Sequence, residues 1–246
     1  MKKFFFILLF TGLHTLSAQS FQVEYGFKML PLPGLKVSDE DRAKMKQVRG
    51  MVDDYGDYLA QHRYILTFTP EESYYHVEAT EMPDDVDNPA MYRISTRGAI
   101  RPGDFYQNAR TGLVLNLRER NGTRYLLSDS LGQNWKITAE TKTIAGYTCR
   151  KAVLACATCK NPVEAWFTPE IPVPFGPAGY GGLPGLILEL KKYRMVLTAK
   201  KVKPLKRKPA IRKPTGDVKM TMDEYEQMLK RRREEIRRRR EAHIRQ

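Results

Sequence analysis

Apolar and polar residues alternate with a period of two through Phe21-Gln22-Val23-Glu24-Tyr25-Gly26-Phe27, which predicts a half-buried strand closed by Pro31, Pro33 and Gly34. Arg63–Thr69, stopped by Pro70, and Ser73–Glu78 read the same way. Leu113, Leu115 and Leu117 share one face. Asn121-Gly122 then tolerates the positive φ values of a type I′ turn, and Thr123–Leu127 returns, so Leu113–Ser128 is a hairpin. Further strands are expected at Trp135–Ala139, Thr148–Leu154, Glu164–Thr168, Leu186–Lys191 and Tyr193–Val202. Helical signals occur twice. Ser38-Asp39-Glu40-Asp41 supplies a cap and an acidic first turn for a helix running toward Gln61, weakened by Gly50 and Gly56. Thr221-Met222-Asp223-Glu224 is a capping box for a helix reaching about His243, with Tyr225, Met228, Leu229 and Ile236 as a broken apolar stripe. The fold class is β-dominated α+β: a curved antiparallel sheet or partly open barrel, an N-terminal helix region and a C-terminal basic helix.

The first residues change the picture. Met1-Lys2-Lys3 is a positive start, Phe4–Phe10 is apolar, and Ser17-Ala18-Gln19 offers small residues for cleavage after Ala18, the pattern of a secretory signal peptide. The apolar run is shorter than the ~20 residues a membrane-spanning helix needs, and no later stretch qualifies. Export to the periplasm or cell surface is therefore expected. The formal charge of +14 is unevenly spread: residues 200–246 carry 18 Lys and Arg against 7 Asp and Glu, while residues 1–199 hold a net +3. The expected divisions are a signal at 1–18, a β-rich domain at 19–203, a Pro/Lys/Arg-rich linker at 204–220 and a basic helix at 221–246. An exported chain with its charge confined to one end is not expected to bind nucleic acid. Arg231, Arg232, Arg233, Arg237, Arg238, Arg239 and Arg240 form an electrostatic surface suited to an anionic envelope surface or an acidic partner.

Candidate chemistry is sparse. Cys149, Cys156 and Cys159 are odd in number. In an oxidising compartment one disulfide and one spare thiol are expected, with either later cysteine able to reach Cys149 across a turn. Cys156-Ala157-Thr158-Cys159 falls in a predicted turn rather than at the helix N-terminus that a thioredoxin-type site requires. The three thiolates could instead bind a soft metal of the copper type. The acidic run Met82–Pro89 lacks the Gly and Glu of a calcium loop and reads as a surface loop. His62, His76 and His243 make no metal-spaced pair, and no GxSxG, HExxH or SxxK occurs. No cofactor is predicted.

From Thr143 the chain reads TIAGYTCRKAVLACATCKNPVEAWFTPEIPVPFGPAGYGGLPGLILEL. With Gly182-Leu183-Pro184-Gly185-Leu186-Ile187 intact, and Gly146-Tyr147-Thr148-Cys149, Ala165-Trp166-Phe167-Thr168, Ile171-Pro172 and Gly176-Pro177 in order before it, this segment resembles the GLPGLI family of exported Bacteroidetes proteins. The resemblance implies export and no established reaction. By a further fold-level analogy it is similar to LolA-like envelope proteins, whose unclosed barrel has an apolar concave face. Asp129-Ser130-Leu131 looks like the short O-glycosylation pattern of this bacterial group. Gly179, Gly181, Gly182 and Gly185 around Pro184 describe a constrained loop gripping the sheet. Tyr180, Gly182, Leu183, Pro184, Gly185 and Trp166 are the candidate ligand contacts. The reading is an exported, non-catalytic binding or accessory protein for an apolar ligand or a partner envelope protein. Soft-metal binding through the cysteines and an enzyme of unknown reaction are the alternatives.

Overall fold

The computed structural model describes residues 19–31, 50, 54–78, 103–155 and 161–244. The expected signal peptide at 1–18, the expected helix start at Ser38, the Met82–Pro89 run, Cys156 and Cys159 lie outside them. In chain order the strands are β1 (Ser20–Met29), β2 (Arg63–Phe68), β3 (Glu72–Glu78), β4 (Asp104–Asn108), β5 (Leu113–Arg120), β6 (Thr123–Ser130), β7 (Trp135–Ile144), β8 (Tyr147–Leu154), β9 (Glu164–Thr168), β10 (Leu186–Lys192), β11 (Met195–Leu205) and β12 (Val218–Thr221). Residues 54–61 form helix α1 and Met222–Ile244 form helix α2. All twelve strands join one open sheet in the order β12-β6-β5-β4-β3-β2-β1-β11-β10-β9-β8-β7. Every pairing is antiparallel except β12 on β6. The fold is thus the β-dominated, unclosed sheet with a C-terminal basic helix that the alternation predicts.

Because directly opposed residues share a face, the register defines two sides. Val23, Leu66, Tyr75, Phe105, Asn116 and Leu127 lie in one cross-strand row, and Phe27, Leu197, Leu190 and Ala165 in another. These rows form the inner face and carry the main core. The outer face takes the intervening positions, among them Tyr74, Tyr106, Leu115, Glu189 and Trp166.

Two segments cover the inner face. Helix α1 buries Tyr55 and Leu59, and the Leu59 carbonyl accepts the Tyr64 hydroxyl at 2.8 Å. The loop between β9 and β10 buries Ile171, Val173, Phe175, Ala178 and Leu183. Phe175 is fully buried, with its ring 6.2 Å from that of Phe68. Burying each such side chain contributes roughly 1.5–3 kcal/mol, so the loop is part of the core.

The segment after β11 crosses the outer face diagonally. It starts where Leu205 opposes Ser20 and ends where Asp217 meets Arg124 at the far end of β6. Ile211 packs against Tyr106, Leu115 and Leu126 as a second small core, and Pro214 is buried. This is the stretch that the sequence marks as a linker. Its last residues add β12 to the sheet edge. The capping box then closes as its residues predict. Thr221 Oγ1 accepts from Glu224 N at 3.2 Å, and Thr221 N donates to Glu224 Oε2 at 2.7 Å. Tyr225 docks the first turn of α2 on β6, its ring 5.3 Å from that of Tyr125.

Candidate functional site

The candidate ligand residues divide between the two sides of the sheet. Tyr180, Gly182, Leu183, Pro184 and Gly185 belong to the loop on the inner face; Trp166 points outward from β9, opposite Glu189 and Lys151. They do not converge on one site.

The loop is held by its own backbone. Gly182 N donates to Pro174 O at 3.0 Å, Gly185 N to Leu183 O at 2.8 Å, Leu186 N to Ile171 O at 2.9 Å and Ile187 N to Phe175 O at 3.0 Å. Gly182 has φ +81, and a Cβ there would run into the Leu131 carbonyl oxygen. Gly185 is pressed against the Thr168 carbonyl, which leaves no room for a side chain. Leu183 is buried, while Gly182 and Pro184 face solvent. The hydroxyl of buried Tyr25 donates to Ile187 O at 2.7 Å.

Two residues that sequence reasoning did not single out for this role pin the loop. Gln107, buried in β4, donates from Nε2 to Tyr180 O at 3.1 Å, while its Oε1 accepts from Ser73 Oγ at 3.1 Å and from Gly176 N at 3.4 Å. A buried amide is stabilised only when so satisfied. Its signal in the sequence was the inward position two residues from Phe105. Trp135 donates from Nε1 to Gly181 O at 2.8 Å and meets Tyr180 edge-on. Leu131, next to the exposed Ser130 of the candidate glycosylation triplet, is buried.

On the outer face Trp166 sits within a charge network. Lys142 Nζ stands 4.3 Å from the Trp166 ring centroid and 2.6 Å from Glu189 Oε1; Glu189 Oε2 accepts from Thr198 Oγ1 at 3.0 Å. Lys191 and Lys151 reach Glu164 at 2.9 and 3.3 Å, and Lys151 also reaches Glu140 at 3.2 Å. Burial raises the Glu164 pKa, but the ammonium groups of Lys191 and Lys151 outweigh it and hold the carboxyl below its usual range. Each of these carboxylates is neutralised by a lysine, an arrangement that braces the sheet and occupies the ring face with a cation.

Cys149 is a free thiol, fully buried in β8. Burial pushes it up to about 11, which keeps it protonated and a poor metal ligand or nucleophile. Among the described residues no group of three His, Cys, Asp or Glu side chains is placed to hold a metal ion.

The helix arginines 231–233 and 237–239 are exposed, with Arg239 paired to Glu235 at 2.6 Å; Arg240 lies in the same helix. Its 23 residues extend roughly 34 Å. No helix among the described residues is long and apolar enough to cross a membrane.

Residues 109–226 match the family model of the N-glycanase peptide, N-terminal domain. The match runs from the end of β4 to the first turn of α2, and so contains the loop, the charge network and the outer strap. Two solved structures of PNGF-II, in space groups C2 and P21, are similar to the chain with TM-scores of 0.51 and 0.52, each at 20% identity. Each likeness covers 86% of this chain but 32% and 33% of the respective PNGF-II chains, so the chain spans about a third of their length. At that identity the likeness to the PNGF-II structures is one of fold. No curated protein matches the chain.

Proposed function

We propose that the protein is an exported, non-catalytic accessory protein of GLPGLI type that binds a partner protein in the envelope from the outer side of its sheet. The observation that carries this reading is the inner face. An apolar carrier needs that face open, and in this fold residues 171–185 fill it, with Phe175 fully buried, Ile171, Val173, Ala178 and Leu183 buried, and backbone hydrogen bonds tying the loop to itself and to the start of β10. The surface left for recognition is the outer face, the strap and α2. The name of the matched domain supports an accessory role as well: it is the N-terminal part of an N-glycanase peptide, and on that similarity the proposed partner is one that bears or handles glycans.

Native mass spectrometry of the mature protein, purified from the envelope of its own host, tests the reading. The expected spectrum contains the bare chain and its complex with a second polypeptide. A co-purifying lipid-like mass on the chain would contradict it, and so would a metal adduct lost on thiol alkylation.

A further inference from the structure

The strap combines a charge pattern with a fixed geometry. Residues 200–216 contain eight Lys and Arg and no Asp or Glu. All eight basic residues are exposed, and among the described residues none of them forms an ion pair. They are held in place by the packing beneath. Ile211 is set into the outer core and Pro214 is buried. Lys213 Nζ stands 5.6 Å over the Tyr106 ring, Arg212 reaches the Tyr74 hydroxyl, and Asp217 fixes the far end on Arg124. In β11 the bulge opposite Glu24 and Tyr25 sets Lys200 over Gly26 and leaves Lys201 and Lys203 on the same outer side.

We infer that Lys201, Lys203, Lys206, Arg207, Lys208 and Arg212 form a binding track for a linear anionic polysaccharide. Lys201 and Lys203 share the outer side of β11, about 6.6 Å apart, and Lys206, Arg207, Lys208 and Arg212 follow at exposed positions along the segment beyond it, a run of cations that a chain with a charge on every sugar or two can follow. Because the strap is already ordered, its cations are presented without the entropy cost of folding a tail onto the ligand. The composition of the track separates this occupant from others. A protein interface builds its affinity on buried aromatic and aliphatic anchors, and a peripheral membrane surface inserts apolar side chains beside its charges. The large exposed apolar residues among those described are Ile137, Tyr193 and Ile236, none of them on the strap. A run whose charged side chains are all cationic, and which exposes no large apolar side chain, fits a polyanion that is itself free of apolar surface. The reading as an exported protein sets that polymer as polysaccharide rather than nucleic acid; the binding itself does not depend on that reading and is tested apart from it.

The test is fluorescence anisotropy of a labelled heparin oligosaccharide with the mature full chain, in a rising NaCl series. Binding is expected at low salt and should weaken as salt screens it. The triple variant Lys206→Glu, Arg207→Glu, Lys208→Glu, at exposed positions, should lose about tenfold or more in affinity. Arg231→Glu, Arg232→Glu, Arg233→Glu in α2 should lose less. Should the acidic variant melt lower than the parent, Lys206→Gln, Arg207→Gln, Lys208→Gln must show the same loss in weaker form. Absence of salt-dependent binding, a strap variant that binds as the parent does, or tighter binding to phosphatidylglycerol vesicles than to the oligosaccharide would each overturn the inference.

Discussion

At the residue scale, the loop depends on positions where a side chain has no space. Gly182 combines φ +81 with the Leu131 carbonyl in the way of any Cβ, whereas Gly146 has φ +86 and open space around it. Gly146→Ala should therefore cost only the left-handed penalty, about 1–2 kcal/mol. Gly182→Ala should add a displacement of the Leu131 backbone and cost about 1–3 kcal/mol more. Urea unfolding of the two variants checks the order; equal costs would mean that the loop yields. Cys149 allows a second prediction. Its thiol, ordinarily ionising near 9, is pushed up to about 11 by burial. Between those values the unfolded chain has released its proton while the folded chain keeps it, so the folded state binds more protons and stability falls as pH rises. Buried Tyr25 and Tyr75, also raised by burial, act in the same direction above their ordinary value of 10. The urea midpoint should be lower at pH about 10.5 than at pH about 8, and native Cys149 should resist iodoacetamide at the lower pH. A midpoint unchanged or higher at the alkaline pH would contradict the buried, protonated assignment.

At the scale of elements, the strap decides what the C-terminal quarter is. A Pro-, Lys- and Arg-rich run reads as an extended linker, and Ile211 is its one large branched apolar residue between Lys206 and Asp217. What overrides the local pattern is the apolar outer row of Tyr106, Leu115 and Leu126, which needs a cover and finds one in the segment that follows β11. Ile211→Ala should cost about 1–3 kcal/mol, toward the low end because the side chain is only partly covered. The exposed bonds after Lys206 and Arg207 should then become sites of faster tryptic cleavage. Unchanged cleavage would show that the strap is held elsewhere. The β5–β6 hairpin, by contrast, is legible in full. Asn121 and Gly122 sit at φ 50 and 77, and three leucines mark one face. The β7–β8 hairpin reads short in the sequence because its turn begins with Ala145 at φ 50, a residue with no turn signal of its own. Strand β4 is not legible because its five residues carry little period. β12 pairs in parallel through a contact that no local pattern encodes. The candidate site is legible as a constrained glycine loop. Its attachment is not, because Gln107, itself held by Ser73, and Trp135 reach it from strands distant in sequence.

At the scale of the whole molecule, one open sheet has a covered side and a charged side. The covered side is closed by α1 and by residues 171–185; the charged side carries the Trp166 network and the basic strap, and α2 extends from its edge. The proposal that recognition lies on the outer side rests on this division, and so on the loop being a permanent part of the core rather than a flap over a ligand cavity. Hydrogen–deuterium exchange of the protein measures that directly, through the amides of Gly182, Gly185, Leu186 and Ile187 that bond within the loop and to its base. If the loop is core, these amides exchange only as slowly as those joining β10 to β11, by global unfolding. If they exchange much faster while the strand amides stay protected, the loop opens, the inner face becomes available to a ligand, and recognition is not confined to the outer side.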